Sequence, residues 1–276
     1  MKKVGYISIL LGVLSILVLL ILPSSIDVKA QPQNIQQLLD QYHSVQLEVG
    51  DFYLDAPLIV GWGEVLKGAG SRLTTIHGSI IIEDGAGDVV LQDFGLIGGE
   101  YGQPLTKGAG IDAPAIERAT ISRLWIQGFE IALKIGGSVT NASYHNLVEN
   151  NTFWDNKIAI WLTRGAPDLE PNNNWLVYNR TRGFRIPDSI GIWLEYGANT
   201  LIQAGWYSSH KIAVKIDPMA DAMIISGYYG SNEIGIYPNM THGYILMPHF
   251  DNNGRNIVTE IMGAKVIYIS KDTDWD

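Results

Sequence analysis

The sequence predicts an all-β fold, a parallel β-solenoid in which short strands form stacked coils. Three observations predict it. The stretch from Ser189 to Gly197, SIGIWLEYG, alternates its apolar residues with the period of two that marks a strand. A similar five-residue phrase recurs along the chain, twice at a spacing of 22 residues. The composition, with 30 glycines, 13 tyrosines and 8 tryptophans, is typical of strands and turns rather than of a helical bundle.

The first 30 residues are expected to direct export. Lys2 and Lys3 precede an apolar run, residues 4–22, and the following Val28-Lys29-Ala30 resembles a cleavage site. The run is long enough to cross a bilayer, so a cleaved signal peptide and a retained membrane anchor both stay open. In either case residues 31–276 form one domain, secreted or anchored to the outer side of the membrane.

A short helix is expected to open this domain. Residues 34–41 place Ile35, Leu38 and Leu39 on one face of a helix. After Val45 the pattern changes to short alternating runs that glycine, asparagine and aspartate separate, and no later segment predicts a helix. The sequence therefore predicts a capping helix followed by strands alone.

The repeated phrase predicts the register of the coils. One coil cannot bury its apolar side by itself, but a stack of coils can, with like residues about 4.8 Å apart. The phrase has the form Ile-small-apolar-x-apolar, with its first, third and fifth positions expected to point inward and a column of small residues between them. It starts at Ile131, Ile158, Ile190, Ile212 and Ile234, in steps of 27, 32, 22 and 22 residues. A second strand is predicted to start at Leu147, Leu176, Leu201, Met223 and Tyr244. Six residues after the start of this second strand, four of the five coils carry an aromatic side chain and the other carries Arg182.

The two long steps indicate an insertion in one coil. Residues 164–174, RGAPDLEPNNN, are rich in proline and asparagine and begin just after Leu162. We expect a loop at a corner of the coil, where binding residues are often found.

Residues 34–78 add a family resemblance. They read NIQQLLDQYHSVQLEVGDFYLDAPLIVGWGEVLKGAGSRLTTIHG: a helix, a strand, a Gly-Asp-Phe-Tyr turn and a Gly-x-Gly phrase before a Thr-x-Ile strand. This start and the coil phrases resemble the right-handed parallel β-helix proteins of the pectin-lyase-like superfamily, such as pectate lyases and tailspikes, over about residues 32–270. The resemblance implies right-handed coils, a capped N-terminal end and, commonly, a carbohydrate groove on a lateral face. It implies no single chemistry, because the superfamily holds lyases, glycosidases, esterases, tailspikes and inactive adhesins.

The outward residues of the repeat are the candidate glycan platform. Exposed aromatic faces stack on the C–H faces of sugar rings, and flanking polar groups orient them. The small residues of the repeat are expected to leave room for the ligand, and Arg164 begins the loop that would form a wall. The first outward column holds Lys134, Trp161, Trp193, Lys215 and Tyr237, and the next holds Gly136, Thr163, Glu195, Asp217 and Asn239. A structural interpretation stays open, in which the tryptophans stabilise the coils by stacking and the loop covers them.

Glu195 and Asp217 are the candidate catalytic residues. On adjacent coils their carboxylates are expected about 5 Å apart, near the separation in a retaining glycosidase. A lyase would instead need a base and cations to neutralise a uronate carboxylate. No cofactor is expected otherwise, and Ca²⁺ is a candidate only for a lyase. The candidate cations are Lys134, Lys215, Arg164, Arg182 and Arg185. The Gly-His-Gly and paired aspartates of polygalacturonases and the Trp-x-Asp-His phrase of pectate lyases are absent, which weakens the case for an enzyme.

Composition limits the partners. The formal net charge of −9 provides no basic face for nucleic acid, and the absence of cysteine excludes disulfides and thiolate metal sites. We expect a protein that binds a polysaccharide or surface glycan, and cleavage of that glycan stays open. The alternative is a non-catalytic cell-surface or virion protein that serves a structural or adhesive role. The membrane would be a partner only through residues 4–22. Four sequons are candidate glycosylation sites, at Asn141, Asn150, Asn179 and Asn239.

Overall fold

The computed structural model describes residues 35–99, 103–240 and 242–258, so the expected export segment lies outside the described residues. Helix α1 spans Ile35–Tyr42 of the described residues. Its predicted apolar face, Ile35, Leu38 and Leu39, is buried against the first coil. The capping helix is therefore confirmed. Within the described ranges no helix has the length and apolar character needed to span a membrane.

The expected parallel β-solenoid is confirmed, with about nine coils and three faces. Each strand pairs in parallel with the strand one coil before and one coil after it. Sheet 1 contains Ser44–Gln46, Val65–Lys67, Val90–Gln92, Thr120–Ser122, Leu147–Glu149, Trp175–Val177 and Gly243–Leu246. Sheet 2 contains Gly50–Tyr53, Thr74–His77, Gly95–Ile97, Trp125–Gln127, Thr152–Trp154, Arg180–Arg182, Trp206–Ser208, Tyr228–Gly230 and His249–Asp251. Sheet 3 contains Leu58–Val60, Ile80–Ile82, Thr106–Ala113, Phe129–Ile135, Ile158–Leu162, Ile234–Pro238 and Arg255–Ile257.

Two long strands join sheet 3 to the next strand of sheet 1. Ile190–Gln203 and Ile212–Ile225 each run through both sheets, so the two sheets share one hydrogen-bonded network. A small pair, Ala86–Gly87 and Ile116–Glu117, lies at the same corner in earlier coils. The interior is filled by columns of like residues. The middle residue of each sheet 1 strand is buried, for example Val148, Leu176, Ile202, Ile224 and Ile245. Burying one such side chain contributes about 1.5–3 kcal/mol to stability. A stack of coils buries these side chains, whereas a single coil would leave them exposed.

The predicted register holds in sheet 3 for all five coils. Ile131, Ile158, Ile190, Ile212 and Ile234 are successive partners. The burial along these strands differs from the prediction, however. The small residues are buried, and the first isoleucine of most coils is half-buried. The chain turns into sheet 3 at this point, and only a small side chain fits the inside of the corner: a Cβ on Gly191 would lie 2.8 Å from Thr181 Oγ1. The small column is therefore part of the core and leaves no room for a ligand.

The predicted register of sheet 1 is wrong by one residue in one coil. Trp175, not Leu176, pairs with Leu147 and Leu201. Consequently Thr181, not Arg182, occupies the inward position that aromatic side chains fill in neighbouring coils. Trp175, Leu176 and Val177 are all apolar, so alternation could not distinguish the two registers.

Asparagine side chains link successive coils at the corners. Asn151 Oδ1 accepts from the Leu124 amide at 2.9 Å, and its Nδ2 donates to the Ile121 carbonyl and to Asn179 Oδ1. Asn156 bonds the preceding coil in the same way at the next corner. These amides satisfy buried backbone groups that the turns would otherwise leave unpaired.

Candidate functional site

The outer face of sheet 3, here called the ladder face, has the columns that the sequence predicts. Lys134, Trp161, Trp193, Lys215 and Tyr237 are successive partners. The rings of Trp161 and Trp193 stack with centroids 5.2 Å apart, and Lys215 Nζ lies 4.2 Å from the Trp193 ring. All five side chains are half-buried.

The polar groups of the ladder face bond to one another. Glu195 Oε2 accepts from Trp161 Nε1 at 3.2 Å and from Thr163 Oγ1 at 2.7 Å. Asp217 accepts from Trp193 Nε1 at 2.8 Å and pairs with Lys215 at 3.1 Å. Lys134 pairs with Asp112 at 3.2 Å. The indole donors and the cations of this face therefore already have partners within the chain.

The insertion, residues 164–174, joins the ladder face to sheet 1 at the predicted corner. Arg164 pairs with Glu170 within the loop at 3.1 Å, and its guanidinium lies 4.0 Å from the Tyr196 ring. Pro171 is buried beside Gly136, and Asn172 bridges to the next coil at Ala198. These contacts make the loop part of the stack.

The four sequons differ in accessibility. Asn141 and Asn150 are exposed, and Asn239 is half-buried. Asn179 is fully buried, and its Nδ2 donates to the Val148 carbonyl at 2.7 Å. In the folded chain Asn179 is therefore not available to carry a glycan, which corrects the prediction for this site.

A concave surface lies on the outer face of sheet 2. Two neighbouring cavities, of about 700 and 790 Å³, share Thr152, Arg180, Trp206 and Tyr228 in their lining and form one groove. The groove crosses strands from Trp125–Gln127 to His249–Asp251, which are six strands and hence about 24 Å along the solenoid axis. Its chemically distinctive lining is Arg72, Trp125, Trp154, Arg180, Arg182 and Trp206.

Aromatic rings and guanidinium groups alternate along this groove. Trp125 and Trp154 stack at 5.2 Å, with the Arg72 guanidinium 3.3 Å from the Trp125 ring on its other side. Arg182 lies 4.7 Å from the Trp154 ring. Trp206, which is 50% exposed, lies edge-on to Tyr228 at 5.0 Å.

The neighbours of Tyr228 fix the position of its ring. Its hydroxyl donates to Asp251 Oδ2 at 2.5 Å, and its ring lies over Gly230, where a Cβ would come within 2.4 Å of Tyr228 Cε1. This bond to a carboxylate raises the pKa of the Tyr228 hydroxyl. The ring also stacks on His249 with centroids 5.4 Å apart, so its neighbours fix the position of Tyr228 at the far end of the groove.

A buried carboxyl group borders the groove. Asp155 follows Trp154 and is 8% exposed. Burial raises the pKa of its carboxyl group, against the opposing effects of the Arg185 backbone amide, the Arg182 charge and a hydrogen bond from the Trp154 side chain. Asp155 thus connects the ring of Trp154 to the turn that leaves sheet 2.

The sequence prediction chose the ladder face and missed the groove, apart from Arg182. A signal was present. The inward aromatic column of sheet 2 contains Phe153, Tyr207 and Tyr229, so the residues on either side of each must point outward. These flanking residues include Trp154, Trp206 and Tyr228.

Comparison with known proteins supports the fold. No protein-family model matches the chain, and no curated protein matches it in sequence. Among solved structures, the catalytic domain of a GH87 α-1,3-glucanase in complex with tetrasaccharides is similar, with a TM-score of 0.56 and 12% identity over 92% of this chain and 69% of that one.

Two other similar structures come from different classes of protein. The ORF18 protein of Geobacillus virus E2 has a TM-score of 0.55 and 13% identity over 83% of this chain, which spans only 53% of that protein. PfbA, a surface adhesin of Streptococcus pneumoniae, has a TM-score of 0.52 and 12% identity, over 87% of this chain and 70% of that one. At these identities the likeness establishes the β-helix fold and does not decide the function.

Proposed function

We propose that this protein binds a polysaccharide lengthwise in the groove on sheet 2. The observation that carries the proposal is the groove itself, about 790 Å³ in its larger part, with three tryptophans and three arginines in its lining. Tryptophan faces offer apolar surface to the C–H side of sugar rings, and guanidinium groups donate to ring substituents. The GH87 structure holds oligosaccharides on a β-helix of the same class, which makes a glycan a reasonable occupant.

The ladder face is the weaker candidate for binding. Its indole N–H groups donate to Glu195 and Asp217, and its lysines are paired with carboxylates. A ligand there would have to displace these contacts, and a buried or half-buried group left without its partner costs about 1–3 kcal/mol. We therefore assign Trp161 and Trp193 to stacking between coils.

Tryptophan substitutions test the proposed groove. We expect Trp206→Ala in the full chain to weaken binding to a retained polysaccharide about tenfold or more, since burial of an aromatic side chain contributes about 1.5–3 kcal/mol. Affinity gel electrophoresis with a panel of soluble polysaccharides measures this. Trp175→Ala is the matched control, because Trp175 is 56% exposed but lies on sheet 1. Equal losses in both variants, or no retention by any polysaccharide, would contradict the proposal.

Cleavage of the glycan by Glu195 and Asp217 stays a prediction from the sequence. Incubation with uronic-acid and neutral polysaccharides tests it through the release of reducing ends and the ultraviolet absorbance of unsaturated products. Reducing ends without absorbance, lost in Glu195→Gln and Asp217→Asn, would indicate a glycoside hydrolase. Absorbance would indicate a lyase and direct attention to the arginines and lysines and to Ca²⁺. Release from no substrate favours the non-catalytic surface or virion protein.

We also propose that residues 31–276 act outside the cell. The support is the sequence of residues 1–30, with Lys2 and Lys3 before the apolar run. Fractionation of expressing cells, with N-terminal sequencing of the mature chain, distinguishes a secreted product from an anchored one. A full-length chain in the cytosol would contradict export.

A further inference from the structure

The groove on sheet 2 is a basic strip on an acidic protein. The chain has a formal net charge of −9. The lining of the two cavities nevertheless contains Arg72, Arg180 and Arg182 and neither aspartate nor glutamate. Charge of one sign concentrated in a concave surface raises the local concentration of ligands of the opposite sign.

Within the part of the chain that the structure describes, the three arginines of the groove form no close ion pair: no carboxylate oxygen lies within 4.0 Å of the guanidinium groups of Arg72, Arg180 or Arg182. The nearest charge effect is on Asp155, where burial raises the carboxyl pKa and the Arg182 charge lowers it. On other surfaces, arginine side chains are paired: Arg118 with Asp88 at 2.9 Å, Arg123 with Asp93 at 2.7 Å and Arg164 with Glu170 at 3.1 Å. The arginines of the groove therefore keep guanidinium donors available for a ligand, unlike Arg118, Arg123 and Arg164.

Two of these cations lie on the same side of one strand. Arg180 and Arg182 are the first and last residues of a three-residue strand and point to the same side, about 7 Å apart along the backbone. Charges of one sign at this distance repel each other, within the range over which salt at about 0.1 M leaves part of the interaction unscreened. A bound anion would remove that repulsion and would give both side chains a partner.

The stacked arrangement of the guanidinium groups also suits an anion. Arg72 lies on the Trp125 ring at 3.3 Å and Arg182 over the Trp154 ring at 4.7 Å. Stacking orients the plane of the group and leaves its N–H edges free, which is the geometry for paired hydrogen bonds to a carboxylate or a sulfate.

We infer that the glycan of this groove is acidic, with carboxylate or sulfate groups that reach the arginines while its rings lie on the tryptophans. The inference rests on the proposed function, because it names the class of glycan that the same groove takes. A carboxylate and a sulfate ester share the chemistry that the arginines recognise, so both sources are tested.

The test compares each acidic glycan with a neutral glycan. The probes are polyglucuronate against neutral cello-oligosaccharides, and dextran sulfate against dextran, each titrated into the full chain by calorimetry at two salt concentrations. We expect an acidic probe to bind at least tenfold more tightly than its neutral partner, with affinity falling as salt rises. Preference for polyglucuronate or for dextran sulfate identifies carboxylate or sulfate as the anionic group.

Arginine substitutions locate the effect. We expect Arg180→Gln and Arg182→Gln each to lower affinity for the acidic probe about tenfold and to reduce its salt dependence. Arg255→Gln, an exposed arginine that begins a strand of sheet 3, is the matched control and should change neither. An acidic preference that is unchanged in both groove variants overturns the inference.

The remaining outcomes separate this inference from the proposed function. Neutral probes that bind as tightly as acidic ones, with affinity lost in Trp206→Ala but kept in the arginine variants, overturn the acidic ligand and leave glycan binding intact. Binding of none of the glycans overturns the proposed function itself. Aromatic and basic grooves also bind single-stranded nucleic acid, so tighter binding of a dT oligonucleotide than of any glycan overturns the glycan assignment.

Discussion

Acid should destabilise this protein in part through one buried histidine, His210. His210 is 4% exposed, with Nδ1 3.1 Å from Ser189 Oγ and Nε2 2.9 Å from Thr181 Oγ1. Burial lowers the pKa of the imidazole from 6.5 to about 4, against a smaller opposing effect of the Thr181 backbone. Because the unfolded chain binds the proton more readily, the stabilising contribution is complete above pH 6.5 and is lost as the pH falls toward 4.

The size of the effect follows from the shift. A change from 6.5 to about 4, at about 1.4 kcal/mol per pH unit, makes the loss about 3 kcal/mol. That is a large part of the stability of an ordinary domain, about 5–15 kcal/mol. Urea unfolding followed by tryptophan fluorescence, at steps from pH 7 to pH 4, measures the free energy of unfolding.

A comparison of variants assigns this loss to His210. Asp84 and Asp188 also have lowered pKa values and lose their contributions in acid, so the wild-type curve alone is insufficient. His210→Gln keeps a side chain that can bond both hydroxyls but does not titrate. We expect its curve to fall by about 3 kcal/mol less than that of the wild type between pH 6.5 and pH 4. His145→Gln, at an exposed histidine, should match the wild type. Equal pH dependence in wild type and His210→Gln would refute the reasoning.

Two further substitutions test the two outer faces. Gly230→Ala places a Cβ 2.4 Å from the Tyr228 ring, so we expect it to displace that ring and to weaken glycan retention severalfold. Ser208→Ala, in the same column, is its control, and undiminished retention in Gly230→Ala would show that the position of the Tyr228 ring does not affect binding. On the ladder face, Glu195→Ala removes the acceptor of two hydrogen bonds and should lower the free energy of unfolding by about 1–3 kcal/mol. Glu195→Gln keeps an acceptor oxygen and should lower it less. Equal losses in the two variants, measured by urea unfolding, would show that these bonds do not stabilise the coil.

The coil architecture could be predicted because like residues stack on like. In sheet 3 the five isoleucine-led phrases are long enough for alternation to fix the register, and the structure pairs them as expected. Strands of sheets 1 and 2 have mostly three residues, so a single apolar neighbour can shift the apparent register. That happened at Trp175. The shift concealed Thr181, which takes the inward position between Phe153 and Tyr207 and whose Oγ1 lies 2.9 Å from His210 Nε2.

The candidate site could not be found in the same way, for a physical reason. Regular columns such as Trp161–Trp193 arise when each side chain bonds to its counterpart one coil away, and a face built so satisfies its own donors. A ligand site must instead keep donors available, and among the described residues Arg180 and Arg182 on sheet 2 have no carboxylate within 4.0 Å. Its residues then follow the spacing of the ligand's groups rather than the repeat of the coil. The apparent break in the sequence pattern at Arg182 came from the one-residue register error; in the register of the structure Arg182 pairs with Trp154 and Ser208 and faces outward, on the surface that we propose for binding.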